Sequence, residues 1–84
     1  MKSVVMYTTD YCPFCVAAKG LLKNKGIPFQ EVDVTGDQAL RQEVVRRSGR
    51  RTVPQIFIGD ESIGGFTELK ALADNDELES KLAD

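Results

Sequence analysis

Short apolar runs along the chain predict four β-strands. Residues 3–8 (SVVMYT) form a run with β-branched residues, which predicts a strand buried on both faces. Residues 29–34 and 53–58 predict two further strands. Residues 61–64 return after the turn-forming pair at 59–60 (GD) and predict a fourth strand, antiparallel to the third.

Between the first two strands, the apolar residues recur at helical spacing. Residues 13–25 begin with proline, which suits a first helical position, and Cys15, Ala18 and Leu22 fall on one face. Gly26 follows as a residue suited to ending the helix. A helix at this place supplies the crossover that a parallel pair of strands needs.

A second helix is predicted between the second and third strands. Residues 35–38 (TGDQ) match a capping box in which Thr35 is the cap. Glu43 and Arg47 have the i, i+4 spacing and order of a favourable ion pair. Gly49 is placed to end the helix.

Two helices after the fourth strand complete the predicted fold. One covers about residues 67–73, and the last is capped by Asp74 or Asn75. The resulting order, βαβαββαα, predicts an α/β protein. No repeat, linker or low-complexity tract divides the chain, so residues 1–84 are expected to form one domain.

Length and charge limit the classes of function. A chain of 84 residues buries one modest core, so we expect a surface groove as substrate site. The net charge of −2 gives no electrostatic footprint for nucleic acid. The uninterrupted apolar run at residues 4–7 is far shorter than a membrane span, and no export signal is visible. We therefore expect neither a nucleic-acid nor a membrane partner.

The chain contains two cysteines and no histidine. A secreted domain of this size usually carries more disulfides, so we expect a reducing, cytoplasmic location. Without histidine, catalytic triads that need it and the common histidine metal sites are excluded. We therefore expect no metal site within one chain, and chemistry based on sulfur, carboxylates or backbone.

The two cysteines are separated by two residues, in the segment 12–15 (CPFC), between a predicted strand and a predicted helix. This context is typical of a redox pair. At the helix N-terminus, unpaired N–H groups and the helix dipole stabilise the thiolate of Cys12. Cys15 lies one turn further on the same face and can attack a mixed disulfide at Cys12. The alternatives are an inert pair of thiols or half of a zinc site shared between chains.

Two further segments suggest binding. In the segment 52–54 (TVP), Pro54 opens a predicted strand. The sequence alone favours a trans peptide bond before this proline, at the edge of the sheet. A cis bond would instead expose the Val53 backbone to an extended ligand. The glycines of the segment 64–67 (GGFT) precede a predicted helix, whose N-terminus can bind an anion. A plain turn is the alternative for the second segment.

Together the segments 11–15 (YCPFC), 52–58 (TVPQIFI) and 64–65 (GG), with Leu69, closely resemble a dithiol glutaredoxin of the short bacterial type. The resemblance covers essentially the whole chain. It implies the thioredoxin-like fold, a four-stranded mixed sheet of strand order 2-1-3-4 flanked by helices. It also implies a cis peptide bond before Pro54.

The implied activity is the glutathione-dependent reduction of protein disulfides and protein–glutathione mixed disulfides by Cys12 and Cys15. Glutathione is then a co-substrate, no cofactor is tightly bound, and the protein acts as a monomer. The resemblance assigns glutathione binding to seven residues: Phe14, Thr52, Val53, Pro54, Gly65, Phe66 and Thr67.

The chain departs from the family pattern at two places. Many relatives have a lysine where this chain has Thr9, so Arg50 or Arg51 is expected to supply the charge near the glycyl carboxylate of glutathione. An acidic residue that binds the substrate amine often stands at the position of Thr67, and here Glu68 comes next.

Two rival functions stay open from the sequence. One is a hydrogen donor reduced by thioredoxin reductase, although the chain has neither the tryptophan nor the C-G-P-C segment usual in thioredoxins. The other is a [2Fe–2S] protein, in which Cys12 of two chains and two glutathione molecules supply four thiolate ligands. The absorbance spectrum of freshly purified protein distinguishes the cluster from the dithiol.

Overall fold

The computed structural model describes residues 1–84 and contains every predicted strand and helix. In chain order the elements are β1 (Val4–Thr8), α1 (Pro13–Asn24), β2 (Gln30–Asp33), α2 (Gln38–Ser48), β3 (Gln55–Ile58), β4 (Glu61–Gly64), α3 (Phe66–Asp74) and α4 (Leu78–Leu82).

The four strands form one mixed sheet in the order β2-β1-β3-β4, as the family resemblance implies. Strand β1 runs parallel to β2, with Val5 opposite Gln30, and antiparallel to β3, with Val4 opposite Ile58. Strand β4 pairs with β3 in the predicted hairpin. The carboxyl end of β1 therefore leads directly into the loop that carries the cysteine pair.

One hydrophobic core joins β1 and β3 to three helices. Its buried side chains come from β1, α1, β3, α3 and α4 and the segment after α1: Val4, Met6, Ala18, Leu22, Ile27, Ile56, Ile58, Leu69, Ala73, Leu78 and Leu82. Burying a side chain of the size of Leu69 stabilises the fold by about 1.5–3 kcal/mol. This core fixes α1 and α3 against the sheet, and their N-termini carry the site described below.

Helix α2 begins at a different cap from the one predicted. Asp37 is the N-cap, and its Oδ1 accepts a hydrogen bond from the Leu40 N–H at 3.0 Å. The predicted cap at Thr35 is therefore wrong, because Gly36 takes a left-handed conformation (φ 74°) between Thr35 and the helix. Gly49 ends α2 in a left-handed conformation, as predicted.

The ion pair predicted between Glu43 and Arg47 does not form. Glu43 pairs with Arg46 instead. The Arg47 guanidinium lies 4.3 Å from the centre of the Phe57 ring, and its Nη1 donates to the Tyr7 hydroxyl at 3.3 Å. The aromatic side chains of β1 and β3 beneath α2 thus attract this cation more effectively than a solvated carboxylate does.

Two smaller expectations also need correction. Strand β1 is not fully buried on both faces: Met6 is buried, but Val5 and Tyr7 keep part of their surface exposed. Helix α4 begins after Glu77 without a side-chain cap, so the predicted cap at residue 74 or 75 is wrong. Glu77 N–H bonds to the Leu72 carbonyl at the end of α3, and this backbone bond joins the two helices.

Candidate active site

The cysteine pair lies at the N-terminus of α1 and is joined in a disulfide. Cys12 is the N-cap, and the Cys15 N–H points at its sulfur with an N···Sγ distance of 3.1 Å. Cys15 is only 1% exposed, whereas Cys12 is partly exposed. Once the disulfide is reduced, Cys12 is therefore the accessible sulfur, and its thiolate has a helix N–H to accept from.

The wall beside Cys12 is the backbone of the 52–54 segment. The Cys12 sulfur lies 3.7 Å from the carbonyl oxygen of Val53. The peptide bond before Pro54 is cis, as the family resemblance implies and contrary to what the sequence alone favours. The buried Gln55 holds this segment, because its Nε2 donates to the Thr52 carbonyl at 2.9 Å.

A groove of about 200 Å³ adjoins this wall. It brings together all seven residues to which the family resemblance assigns glutathione binding, with two charged residues added: Phe14, Arg50, Thr52, Val53, Pro54, Gly65, Phe66, Thr67 and Glu68. The rings of Phe14 and Phe66, which both line the groove, lie 6.3 Å apart, and Phe14 is 63% exposed, as predicted. The groove is open, and its lining of backbone, aromatic rings and one ion pair suits an extended peptide.

Glu68 fixes one end of the groove. Its Oε1 accepts from the Gly65 N–H at 2.7 Å and from Arg50 Nη1 at 2.9 Å. The Gly65 N–H, followed by the Arg50 guanidinium, lowers the pKa of this carboxyl below its usual value. The N–H groups of Phe66 and Thr67 have no acceptor within α3 and can bind an anion beside it.

The two glycines before α3 are required by close contacts. Gly64 has φ 109°, and a Cβ there would lie 2.7 Å from Glu68 Oε1 and 2.8 Å from Arg50 Nη1. A Cβ on Gly65 would lie 3.3 Å from the Pro54 carbonyl oxygen. The double glycine therefore leaves room for the Arg50–Glu68 pair and lets the start of α3 lie close to the 52–54 segment.

The structure separates the two arginines that the sequence left as alternatives. Arg50 is paired with Glu68, which offsets its charge. Arg51 lines a second groove together with Arg41 and three uncharged residues, Gln38, Gln42 and Val45. Neither Arg41 nor Arg51 forms a salt bridge.

Sequence reasoning did not single out Arg41. The clustering of arginine could have indicated it, because all five arginines of the chain lie between residues 41 and 51.

No group of three or more histidine, cysteine, aspartate or glutamate side chains is placed to hold a metal ion. No helix has both the length and the apolar character needed to cross a membrane.

Comparisons with known proteins agree with this geometry. Residues 4–63 match the family model described as Glutaredoxin. The chain is 51% identical to Glutaredoxin 3 of Escherichia coli K12 over 72 residues, which cover 86% of this chain and 87% of that protein. It is 46% identical to a glutaredoxin of Pseudomonas aeruginosa over 83 residues, 99% of each chain.

Solved structures are similar over the same extent. The solution structure of a glutaredoxin from Brucella melitensis superposes with a TM-score of 0.87 at 48% identity, covering 98% of this chain and 89% of that one. A crystal structure of a buckwheat glutaredoxin–glutathione complex gives 0.88 at 26% identity, covering 96% and 76%.

Proposed function

This chain belongs to the glutaredoxin family and is a glutathione-dependent thiol–disulfide oxidoreductase; on that premise we propose that Cys12 is its nucleophile and Cys15 its resolving thiol. The observation that carries the assignment is the difference in exposure: Cys15 is 1% exposed, and Cys12 is partly exposed beside the groove. The N–H of Cys15 supports the same order, because it can donate to a thiolate at Cys12 but not to its own sulfur.

On a glutathionylated protein, the Cys12 thiolate attacks the glutathione sulfur. The protein–glutathione disulfide breaks, the protein leaves as a thiolate that takes a proton from water, and a Cys12–glutathione disulfide forms. The thiolate of a second glutathione then attacks this glutathione's sulfur. It releases oxidised glutathione, made of this molecule and the glutathione that the substrate carried, and regenerates the Cys12 thiolate. One reduced glutathione is therefore consumed for each protein thiol released.

On a protein disulfide, Cys12 first forms a mixed disulfide with one substrate sulfur. Cys15 then gives up its proton, attacks the Cys12 sulfur and displaces the second substrate thiolate, which leaves the Cys12–Cys15 disulfide. Two glutathione molecules reduce this disulfide again. The distance of 5.1 Å between the two Cα atoms allows the ring to close without movement of the helix.

We propose that glutathione lies along the groove with its cysteinyl unit against the Val53 backbone. This position brings its sulfur towards Cys12, whose own sulfur is 3.7 Å from the Val53 carbonyl. The γ-glutamyl carboxylate would take the N–H groups of Phe66 and Thr67 at the start of α3. Glu68 Oε2 forms no hydrogen bond and is available to accept from the γ-glutamyl ammonium.

We propose Arg51, supported by Arg41, as the charge for the glycyl carboxylate. Arg50 lies at the γ-glutamyl end of the groove and is already paired with Glu68. An extended tripeptide centred on Val53 places its glycyl end on the opposite side. Arg51 and Arg41 line a groove with no carboxylate.

The remaining assignments are proposals of the same kind. Residues 1–84 act as one monomeric domain, supported by the single core, and no cofactor is tightly bound. The partners are glutathione, protein disulfides and glutathionylated proteins, with neither nucleic acid nor membrane. The use of only two cysteines, both in the reactive pair, supports a reducing, cytoplasmic location.

A coupled assay tests the function. Reduction of a mixed disulfide between glutathione and a small thiol is followed by NADPH consumption, once with glutathione plus glutathione reductase and once with thioredoxin reductase. We expect turnover only with the glutathione system. Turnover with thioredoxin reductase alone would support the rival function as its hydrogen donor and contradict the proposal.

A further inference from the structure

The loop before the nucleophile, residues 9–11, is held by one side chain outside it. The Asp10 N–H donates to Thr35 Oγ1 at 3.0 Å, and Thr35 Oγ1 donates to Asp10 Oδ1 at 3.3 Å. These are the only hydrogen bonds that residues 9–11 make. Thr35 belongs to the loop between β2 and α2, so its hydroxyl joins two loops that are distant in sequence.

The loop needs such an anchor. Tyr11 has φ 52°, a left-handed conformation that costs a residue with a Cβ about 1 kcal/mol or more. Its side chain is 99% exposed, so packing does not supply that energy. The next residue is Cys12, whose sulfur must stay beside the Cys15 N–H to keep its thiolate stabilised.

Thr35 is itself held in place. Its N–H donates to Asp33 Oδ1 at 2.8 Å, at the end of β2. The neighbouring Val34 is buried, and its N–H bonds to the Thr8 carbonyl at the end of β1. These hydrogen bonds hold Thr35 against the ends of β1 and β2. Its hydroxyl therefore has a fixed position relative to the sheet.

From this arrangement we propose that Thr35 is a positioning residue for Cys12: its hydroxyl anchors the Asp10 backbone and thereby holds the Cys12 sulfur at the N-terminus of α1. The inference rests on the proposed role of Cys12 as nucleophile. Thr35 acts through Asp10 and touches neither sulfur nor groove.

Four variants test the proposal. Thr35→Val removes the hydroxyl with almost no change in shape, and Thr35→Ser keeps it. Asp10→Asn removes the carboxylate but keeps the backbone N–H that Thr35 accepts from. Thr9→Val is the matched control, since it makes the same change in a loop side chain that forms no hydrogen bond.

The readouts are the alkylation rate of reduced Cys12 at neutral pH, measured by peptide mapping, and the kcat and KM of the glutathione-coupled assay. We expect Thr35→Val to lower the alkylation rate and kcat by about two- to tenfold, the range that loss of the hydrogen bond from the Asp10 N–H to Thr35 Oγ1 supports, without changing the KM for glutathione. Thr35→Ser, Asp10→Asn and Thr9→Val should behave as wild type.

Each contrary result has a defined meaning. A Thr35→Val protein with wild-type alkylation rate and kcat overturns the proposal, and so does a Thr35→Ser protein as slow as Thr35→Val. An Asp10→Asn protein as slow as Thr35→Val would also overturn it, because the carboxylate rather than the anchored backbone would then act on Cys12. If wild type itself gave no glutathione-dependent turnover, the proposed function would fail instead.

Discussion

The carboxylate of Glu68 supports the groove in two ways that can be measured separately. It accepts from the Gly65 N–H at the start of α3 and pairs with Arg50. Glu68→Gln keeps an oxygen that can accept from Gly65 but removes the charge. Glu68→Ala removes both interactions, and Arg50→Met removes the ion pair alone.

The expected size of each effect follows from exposure. The side chains of Glu68 and Arg50 are 40% and 46% exposed, so solvent screening limits the ion pair to about 0–1 kcal/mol. A negative charge in the first turn of α3 adds about 0.3–1 kcal/mol. Loss of a cap costs about 0.5–2 kcal/mol. We therefore expect the free energy of unfolding to fall by about 0.5–1.5 kcal/mol for Glu68→Gln and by more for Glu68→Ala.

Urea unfolding at about pH 7 and at falling pH measures these differences. The pKa of Glu68 is lowered in the folded protein, so the folded state binds fewer protons than the unfolded state as pH falls below the usual value of 4.5. The stabilisation by its charge is therefore complete above that pH and is lost as pH falls through the folded-state pKa. The difference in the free energy of unfolding between wild type and Glu68→Gln should therefore shrink as pH falls.

A control and a refuting result complete the test. Glu43 pairs with Arg46 at a similar exposure of 38% but lies away from a helix N-terminus and from the groove. Glu43→Gln should therefore cost less than Glu68→Gln. Equal stability of wild type and Glu68→Gln at neutral pH, or a gap that persists in acid, would refute the role assigned to the Glu68 charge.

Three further predictions follow from the site. Gly64→Ala should destabilise the fold by about 1–3 kcal/mol and weaken glutathione use, since φ 109° strains a residue that has a Cβ and the Glu68 side chain would have to move; an unchanged urea midpoint would contradict this. The double variant Arg51→Ala, Arg41→Ala should raise the KM for glutathione several-fold, which corresponds to about 1 kcal/mol of lost binding, with kcat unchanged. An unchanged KM would mean that backbone contacts alone bind glutathione. In the reduced protein, iodoacetamide at neutral pH should label Cys12 faster than Cys15. If peptide mapping finds faster labelling of Cys15, then Cys15 is the nucleophile and Cys12 the resolving thiol.

The strands and most helix bounds could be predicted from the sequence because they depend on local signals. The turn at residues 59–60, the proline opening α1 and Gly49 each act through the backbone of their own segment. The cap of α2 failed as a prediction because Thr35 and Asp37 are both good caps, and only the fold decides which one is available. Thr35 is instead taken by Asp10, 25 residues earlier in the chain.

The candidate site could be predicted in part for the same reason. The spacing of the cysteines and the glycines before α3 are visible in the sequence, and the family resemblance supplied the rest of the groove. The pairing of Arg50 with Glu68, and of Arg47 with aromatic rings, depends on contacts between elements distant in sequence. Arg50 and Arg51 are adjacent and have the same side chain, so only such contacts show which of them is already paired with a carboxylate.

The central claim is that the two cysteines have different roles, and two serine variants test it most directly. Cys12→Ser and Cys15→Ser are assayed with glutathione and glutathione reductase on a glutathionylated protein and on a protein disulfide. Cys12→Ser should lose both activities, because a serine without a nearby base is no comparable nucleophile and the chain has no histidine. Cys15→Ser should keep substantial deglutathionylation and lose most disulfide reduction. Equal loss of both activities in Cys15→Ser, or retained activity in Cys12→Ser, would contradict the account.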